Sequence, residues 1–478
     1  MKVLKQLRFY LLLALASLII YLLIQVNELA LPIKLFILVL LLFTTVFSLC
    51  LCLSYQTKKW IQWLGIVITI ISSVGVYYSG DVFNEIHDTL VALEDNSKED
   101  ISINYDVIIN KTYDIENGEV VPDLLELGDK KFGVLEMGNT SYNRDIIKDI
   151  RTILNKDVEF TGVKTYKEAT EKLISGDIEV LIINEAIRDM FEIDLKTIST
   201  VVENYQFTEV KEENRHQAKV TQEPFIVYIT GIDTDGALST VARSDVNKIV
   251  VINPLTKEIL VISIPRDFYV PISCLNNELD KLTHSGFYGP QCTVDTMSNY
   301  LGIDINYYAR INFSSVTEII NALGGIEVYS EIEFTAEPSM NHFVKGLNYM
   351  DGETALDFSR ERYNLPNGDF DRINNQTAVV KGIVDKVTSP SILENYKNVL
   401  KVIVENVETN MTMNDILSLV SMQLTDMSKW NIDSYSMGAI GAYDYSAMMG
   451  EELYMGIPNF DTVKTAKDKI IKMMNEIY

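Results

Sequence analysis

Positive charge is scarce in this chain. Forty-one Lys and Arg stand against 66 Asp and Glu in 478 residues, a formal net charge of −25. A field of that sign repels nucleic acid and anionic lipid surfaces in general, so any bound polyanion must be held by a local cluster of arginines. Cysteine is scarce too. Of the four, Cys50 and Cys52 lie in an apolar run and read as small hydrophobes. Cys274 and Cys292 flank a glycine-bearing loop. Either they pair, closing 18 residues for about 3 kcal/mol, or they are two buried free thiols. There are no internal repeats and no low-complexity tract. Residues 101–207 contain no Gly-rich phosphate loop, no metal-spaced histidines and no nucleophile motif, which leaves them a scaffolding or partner-contact role.

Long apolar runs are present at one end. Residues 9–26, 33–55 and 60–79 each approach the ~20 residues of a membrane-spanning helix, with Lys34 their only charge. No small-residue cleavage site follows a short apolar stretch, so a removed signal peptide is not indicated. Lys2, Lys5 and Arg8 precede the first run, and Lys58 and Lys59 separate the second from the third. This predicts three transmembrane helices over 1–80, a cytoplasmic N-terminus and residues 81–478 outside a cell membrane. The part beyond residue 80 carries 35 basic and 65 acidic side chains, close to −30.

From 81 to 207 the pattern alternates. Strands are expected at Lys131–Glu136, Val158–Val163 and Ile178–Asn184, with helices at Arg144–Leu154 and Lys167–Ile174. That rhythm predicts a small accessory α/β domain with a partly parallel sheet. Residues 208–223 (TEVKEENRHQAKVTQE) read as a linker, and 224–478 as the main domain. It opens with three β-branched runs, Phe225–Ile232, Lys248–Ile252 and Ile259–Ile264, each bounded by turn chemistry. Helices are expected around Cys292–Leu301, Ser315–Ala322, Gly352–Phe358 and Arg372–Val387, with strands at Tyr307–Phe313 and Ile326–Tyr329 and strand character near Phe358–Tyr363.

Charges cluster where those strands end. Asp233 and Asp235 leave the first, Arg243 and Asp245 precede the second, and Arg266 and Asp267 follow the third. Carboxylates and guanidiniums so placed suit a metal-bound anion; ordinary surface ion pairs are the alternative. A second set lies further on. Arg360 and Arg362 share a face if extended, and Arg372 and Gln376 share a face of a helix, at whose start free N–H groups face any anion. A solvated charge run is the bland reading of Arg360–Glu361–Arg362. Arg243, Arg266, Arg360, Arg362 and Arg372, within 130 residues of an acidic chain, favour a diphosphate clamp.

Several motifs occur in register over about 225–390: Arg243-Ser244-Asp245, Val261–Asp267 (VISIPRD), Asp280–Ser285 (DKLTHS), Ala322–Val328 (ALGGIEV), Arg360-x-Arg362 and Gly368-Asp369-Phe370-x-Arg372. In these the chain resembles the LytR-CpsA-Psr family. Its membrane runs and extra α/β region resemble the streptococcal capsule-biosynthesis branch. The resemblance implies an α/β/α domain with a long apolar pocket that binds a polyprenyl (pyro)phosphate and, with Mg²⁺, transfers the attached glycan to peptidoglycan. It places Asp233 and Asp245 at the metal, and Arg243, Arg266, Arg360, Arg362, Arg372 and Gln376 around the lipid phosphates, where Lys281 is added as a further candidate. Arg243, Arg266, Asp267 and Asp369 take the catalytic roles, with Asp267 and Asp369 alternative general bases. One departure is Asn375, where the family often has a further arginine; Lys281 is the candidate to compensate.

The expected function is a membrane-anchored transferase that moves capsular polysaccharide from a polyprenyl-pyrophosphate carrier to peptidoglycan, alongside capsule-assembly proteins and without nucleic acid. A non-catalytic sensor of lipid-linked precursor and a polyprenyl-pyrophosphate phosphatase are the alternatives. A lipid tunnel is expected between the sheet and the helices around Cys292–Leu301 and Ser315–Ala322, opening at the arginines. His284 reads as a satisfied structural histidine.

Overall fold

The structure, a computed structural model, describes residues 101–111, 121–136, 140–188, 195–209, 217–232 and 241–476 apart from 390, 393, 394 and 427, together with the single residue 67. Residues 97–478 make one compact unit.

Two large sheets frame it, beside four two-stranded ones among the described residues. The first contains β1 (Ile101–Asn110), β2 (Phe132–Leu135), β3 (Phe160–Val163), β4 (Val180–Asn184) and β5 (Ser199–Glu209), in the order β3-β2-β4-β1-β5. Its helices are α1 (Thr140–Leu154) and α2 (Tyr166–Ser175). Strands β2 and β4 are buried along their whole length, as expected of parallel strands covered on both faces. Helix α2 starts where the Thr165 hydroxyl accepts the Glu168 amide and stops at Gly176, whose φ of 78° suits glycine. The sheet is partly parallel, as the alternation predicts. Strands β1 and β5 run antiparallel at its edge; the sequence pattern did not reveal them. Part of the expected linker is packed rather than free. Ala218 and Val220 are buried against Phe225 and Tyr307, and the Ala218 amide donates to the Tyr307 hydroxyl.

The second sheet comprises β6 (Phe225–Ile232), β7 (Ser244–Asn253), β8 (Glu258–Ile264), β9 (Tyr307–Ile311), β10 (Glu408–Thr409) and β11 (Asn431–Ser436), in the order β10-β9-β6-β7-β8-β11. The β7–β8 hairpin closes as an Asx turn, with Asn253 Oδ1 accepting the amides of Leu255 and Thr256. Five helices matter here: α3 (Pro290–Leu301), α4 (Phe313–Ala322), α5 (Gly352–Arg360), α6 (Asp369–Val387) and α7 (Phe460–Asn475). Strand alternation divides the apolar side chains. Ile226, Tyr228, Ile249, Val251, Leu260 and Ile262 face one way and pack with residues of α3 and α7. Ile229, Val250, Ile259 and Val261 face the other and pack on Val380 and Val384 of α6. The result is a three-layer α/β/α arrangement.

Several expectations are corrected. The three transmembrane helices and the multi-pass membrane location are not upheld, because no helix among the described residues is long and apolar enough to cross a membrane. Apart from residue 67, the runs at 9–26, 33–55 and 60–79 themselves lie outside the described residues, as does Asp233. No strand forms at Phe358–Tyr363. There α5 continues to Arg360, because Asp351 caps its start by accepting the Thr354 amide and Ala355 and Phe358, three apart, are buried. Helix α6 begins at Asp369, a turn earlier than the apolar pattern suggests, and Gly368 with φ 53° leads into it.

Candidate active site

Strands β6 and β8 end where β7 begins, because β7 runs antiparallel to both: Ile232 pairs with Ser244, and Asn247 with Ile264. Arg243, Asp245 and Arg266 therefore gather at one end of the sheet, although β7 separates the other two strands. Arg266 Nη1 donates to Asp245 Oδ1 at 3.1 Å. Burial opposes charge on Arg266, yet Asp245, Asp267 and Asp369 hold its pKa above the ordinary arginine value.

The segment following the third strand acts as a bracket. The amides of Leu282 and Thr283 donate to the carbonyls of Phe268 and Arg266, at 2.8 and 2.9 Å. The Thr283 hydroxyl donates to Asp245 Oδ1 at 3.0 Å. Asp280, fully buried, accepts His284 Nδ1, the Ser446 hydroxyl and the amides of Lys281 and Met448, all at 2.7–2.9 Å. His284 is thus a satisfied structural group. A Cβ at Gly286 would overlap the Ala242 carbonyl oxygen and the Ser244 amide nitrogen, so only glycine lets the bracket lie against the start of β7.

A cavity of about 470 Å³ opens beside this cluster, between the sheet and α4, α5 and α6. Arg243, Arg266, Arg360, Arg362 and Arg372 border it with Gln376, and Asp245 is its one bordering carboxylate among the described residues. The rest is largely apolar, including Ile229, Val316, Val379, Val380 and Ile383. Helix α3 lies on the opposite face of the sheet, so the expected tunnel wall at Cys292–Leu301 is corrected to α5 and α6. Arg360 and Arg362 meet the cavity from a helix end and the turn after it, not from one strand face. Arg360 stacks 4.2 Å above the Phe313 ring, and Arg362 donates to the Tyr363 hydroxyl at 2.7 Å. Arg243, Arg360 and Arg362 have no ion pair among the described residues. Arg372 pairs with Asp369; burial pushes its guanidinium below the ordinary value, Asp369 opposing the shift and Arg266 adding to it. Asp369 shares a small inner pocket with Asp245, Arg266, Arg372 and Gln376.

Three residues sit differently from expectation. Lys281 points to Asp267 at 3.7 Å and does not border the cavity, so it does not stand in for a missing arginine. Asp267 is likewise off the cavity wall. Asn375 is buried and donates to the Phe358 carbonyl at 3.1 Å, which ties α6 to α5, and it does not border this cavity. The sequence pattern did not single out Lys248. It lies in the middle of β7, fully buried, and borders the cavity. Its only sequence signal was a lysine heading an apolar run, which burial in a strand made easy to pass over. A larger open cleft of about 790 Å³ lies beside α1, but its Arg151 and Lys156 are neutralised by Asp157 and Asp129.

A hard cation fits Asp245. Its Oδ1 is taken by Arg266 and Thr283, while Oδ2 is buried without a hydrogen-bond partner. Among the described residues no three His, Cys, Asp or Glu side chains gather as a complete metal cage. Magnesium needs none, since it commonly takes one or two carboxylates plus substrate phosphate oxygens.

Residues 191–466 match the model of the LytR_cpsA_psr family. The chain belongs to the LytR_cpsA_psr family. A polyisoprenyl-teichoic acid–peptidoglycan teichoic acid transferase, TagU, from Enterococcus faecalis is 39% identical over 198 residues. That match covers 41% of this chain and 64% of TagU, so less than two thirds of that relative is matched. TagU from Bacillus licheniformis is 37% identical over 201 residues, covering 42% of this chain and 64% of that protein. The solved structure of B. subtilis TagV is 26% identical with a TM-score of 0.46, covering 54% of this chain and 99% of that one. Within this LytR_cpsA_psr chain the DKLTHS motif works from behind the site, where it holds Asp245 and the Arg266 backbone in place.

Proposed function

We propose that this chain transfers a glycopolymer from a polyprenyl-phosphate-type carrier to peptidoglycan. The observation that carries the reading is the cavity itself, whose wall combines a row of apolar side chains with five arginines in a chain of net charge −25. Apolar walls suit a prenyl tail, each methylene being worth about 0.8 kcal/mol out of water. Guanidiniums suit phosphate oxygens, which they bind bidentately. The relatives named as teichoic acid–peptidoglycan transferases support the same reading.

In this reading Arg266, Arg360, Arg362 and Arg372 bind the phosphates and donate hydrogen bonds that strengthen as charge builds on the departing lipid phosphate. Asp245 would hold Mg²⁺, which when bound neutralises part of that charge. Asp369 is the better base for the acceptor hydroxyl, since it shares the inner pocket with Asp245 while Asp267 turns to Lys281. Both donors need testing: capsular polysaccharide, from the resemblance, and teichoic acid, from the relatives' names.

The test incubates the full chain with each lipid-linked donor and peptidoglycan, and follows labelled glycan and free phosphate. Covalent label on peptidoglycan is expected. Arg362→Ala should slow transfer by about 2–4 kcal/mol of barrier, on the scale of a lost oxyanion donor, with an unchanged melting temperature. Phosphate release without transfer would make it a phosphatase; binding without either would make it a sensor.

A further inference from the structure

Lys248 is an ammonium-bearing side chain in a place built for apolar ones. It stands on β7 opposite Ile229 of β6 and Ser263 of β8, one row of the sheet deeper than Val246 and Gly231. Val246, Lys248 and Val250 share the face that looks toward α6. The side chain is 1% exposed. Its Nζ lies 2.8 Å from Ser263 Oγ and 3.0 Å from Thr377 Oγ1, and these hydroxyls are 2.9 Å from each other. Thr377 donates onward to the Ile373 carbonyl at 2.8 Å. No carboxylate pairs with Lys248 among the described residues.

Two hydroxyls orient an amine but do not neutralise it. An ammonium carries three N–H groups, and the chain accepts two. A valine or isoleucine here would extend the strand pattern and avoid a desolvation penalty of several kcal/mol. Burial pushes this amine down to about 7. Such a group is held against its own solvation, and an anion placed against it would relieve that. The cavity wall it forms also carries Arg243, Arg266, Arg372 and Gln376. Because Lys248 lies deeper along the sheet than Arg243 and Arg266, it stands between the arginine mouth and the apolar interior.

We propose that Lys248 is a phosphate-binding residue that contacts the phosphate nearest the prenyl tail and sets the depth at which the head group stops. This rests on the proposed function, because it takes a prenyl phosphate as the occupant of the cavity. The third N–H supplies a charge-assisted hydrogen bond to that phosphate. Ser263 and Thr377 aim it. The arginines hold the outer phosphate.

The test measures binding of four probes to the full chain: farnesyl diphosphate, farnesyl phosphate, farnesol and inorganic diphosphate. Two variants are compared with wild type. Lys248→Met keeps the shape and removes the polar head; Lys248→Gln keeps a donor for the two hydroxyls and removes the charge. Both should weaken farnesyl phosphate and farnesyl diphosphate by about tenfold, the size of one lost charge-assisted hydrogen bond, and leave farnesol within about twofold. Inorganic diphosphate, which the mouth arginines suffice to hold, should change less than the prenyl esters. Equal losses for farnesol and the phosphates would make the lysine merely structural and overturn the assignment, as would wild-type affinities in both variants. If wild type binds no prenyl phosphate at all, the proposed function falls with it. If Lys248→Met does not fold, Lys248→Gln decides.

Discussion

Single side chains carry more of this fold than their motif suggests. Asp280 opens the DKLTHS motif but touches no ligand space. It is a fully buried carboxylate satisfied by His284, Ser446, and two backbone amides. Burial alone would raise its pKa; the hydrogen bonds outweigh burial and hold it below the usual carboxylate value. The folded value lies below the unfolded one. The group therefore contributes stability above its unfolded pKa of about 3.9, and loses it as pH falls through that value toward the folded one. Asp280→Asn should cost about 1–3 kcal/mol at pH 7, because charged acceptors are lost in a buried place. The gap from wild type should shrink below about pH 4. Urea melts of both proteins from pH 7 to pH 3 check this, and a gap constant across the range would sink it. At the same scale, Lys281 and Asn375 show where sequence reading fell short. Charge and motif position suggested ligand contact for Lys281, and only packing shows it turned to Asp267. Asn375 looked like a missing arginine; it is a tie between two helices.

Elements were legible in proportion to how uniformly they are buried. Strands β4, β6 and β8 announce themselves as runs of Val, Ile and Leu because both faces are covered. Strands β1 and β5 mix polar and apolar residues at a sheet edge, and their pairing depends on contacts about a hundred residues apart in sequence. The stretch around Arg360 alternates in a way that suggests an extended segment, but a capped first turn and two buried side chains three apart decide for helix. One element-level question that composition left open has an answer. Cys274, in the turn after the strand Tyr269–Ile272, is bonded to Cys292 in the first turn of α3. It staples the backbone next to the bracket onto the helix covering the sheet. Closing a loop of 18 residues should stabilise by about 2–4 kcal/mol. The paired variant Cys274→Ser with Cys292→Ser should unfold at lower urea by that amount, and a reducing agent should lower wild type to match it. Identical midpoints with and without reductant would show that the bond does not form in solution.

At the scale of the whole molecule, the ring of arginines was readable only as a resemblance. Its members come from four separate stretches between 243 and 372, and no local pattern says that a sheet end, a helix end, a turn and a second helix will meet. The sequence also divides the chain more sharply than folding does. The expected linker at 208–223 falls between the two sheets in sequence, yet one apolar cluster joins them. Leu173 and Tyr166 of α2 belong to the same cluster as Ile262 of β8 and Met448. The backbone is continuous there as well, since the amides of Tyr166 and Lys167 donate to the carbonyls of Met448 and Met449, both at 3.1 Å. Shared core and shared hydrogen bonds mean that neither sheet can open without exposing the other's apolar surface. Residues 97–478 should therefore melt together, in one calorimetric transition. Leu173→Ala, at a fully buried site on α2 beside the first sheet, should lower that single transition by about 2–5 kcal/mol of stability. A conservative core change on the second sheet, Ile262→Val, should move the same transition by about 0.5–1.5 kcal/mol. Loss of fluorescence signal from Trp430, beside β11 on the second sheet, should coincide with the calorimetric midpoint in both variants, although Leu173 belongs to the first. Two resolved transitions, with Leu173→Ala displacing only one of them and leaving the Trp430 signal in place, would mean that the sheets fold independently and that the first is a separable module.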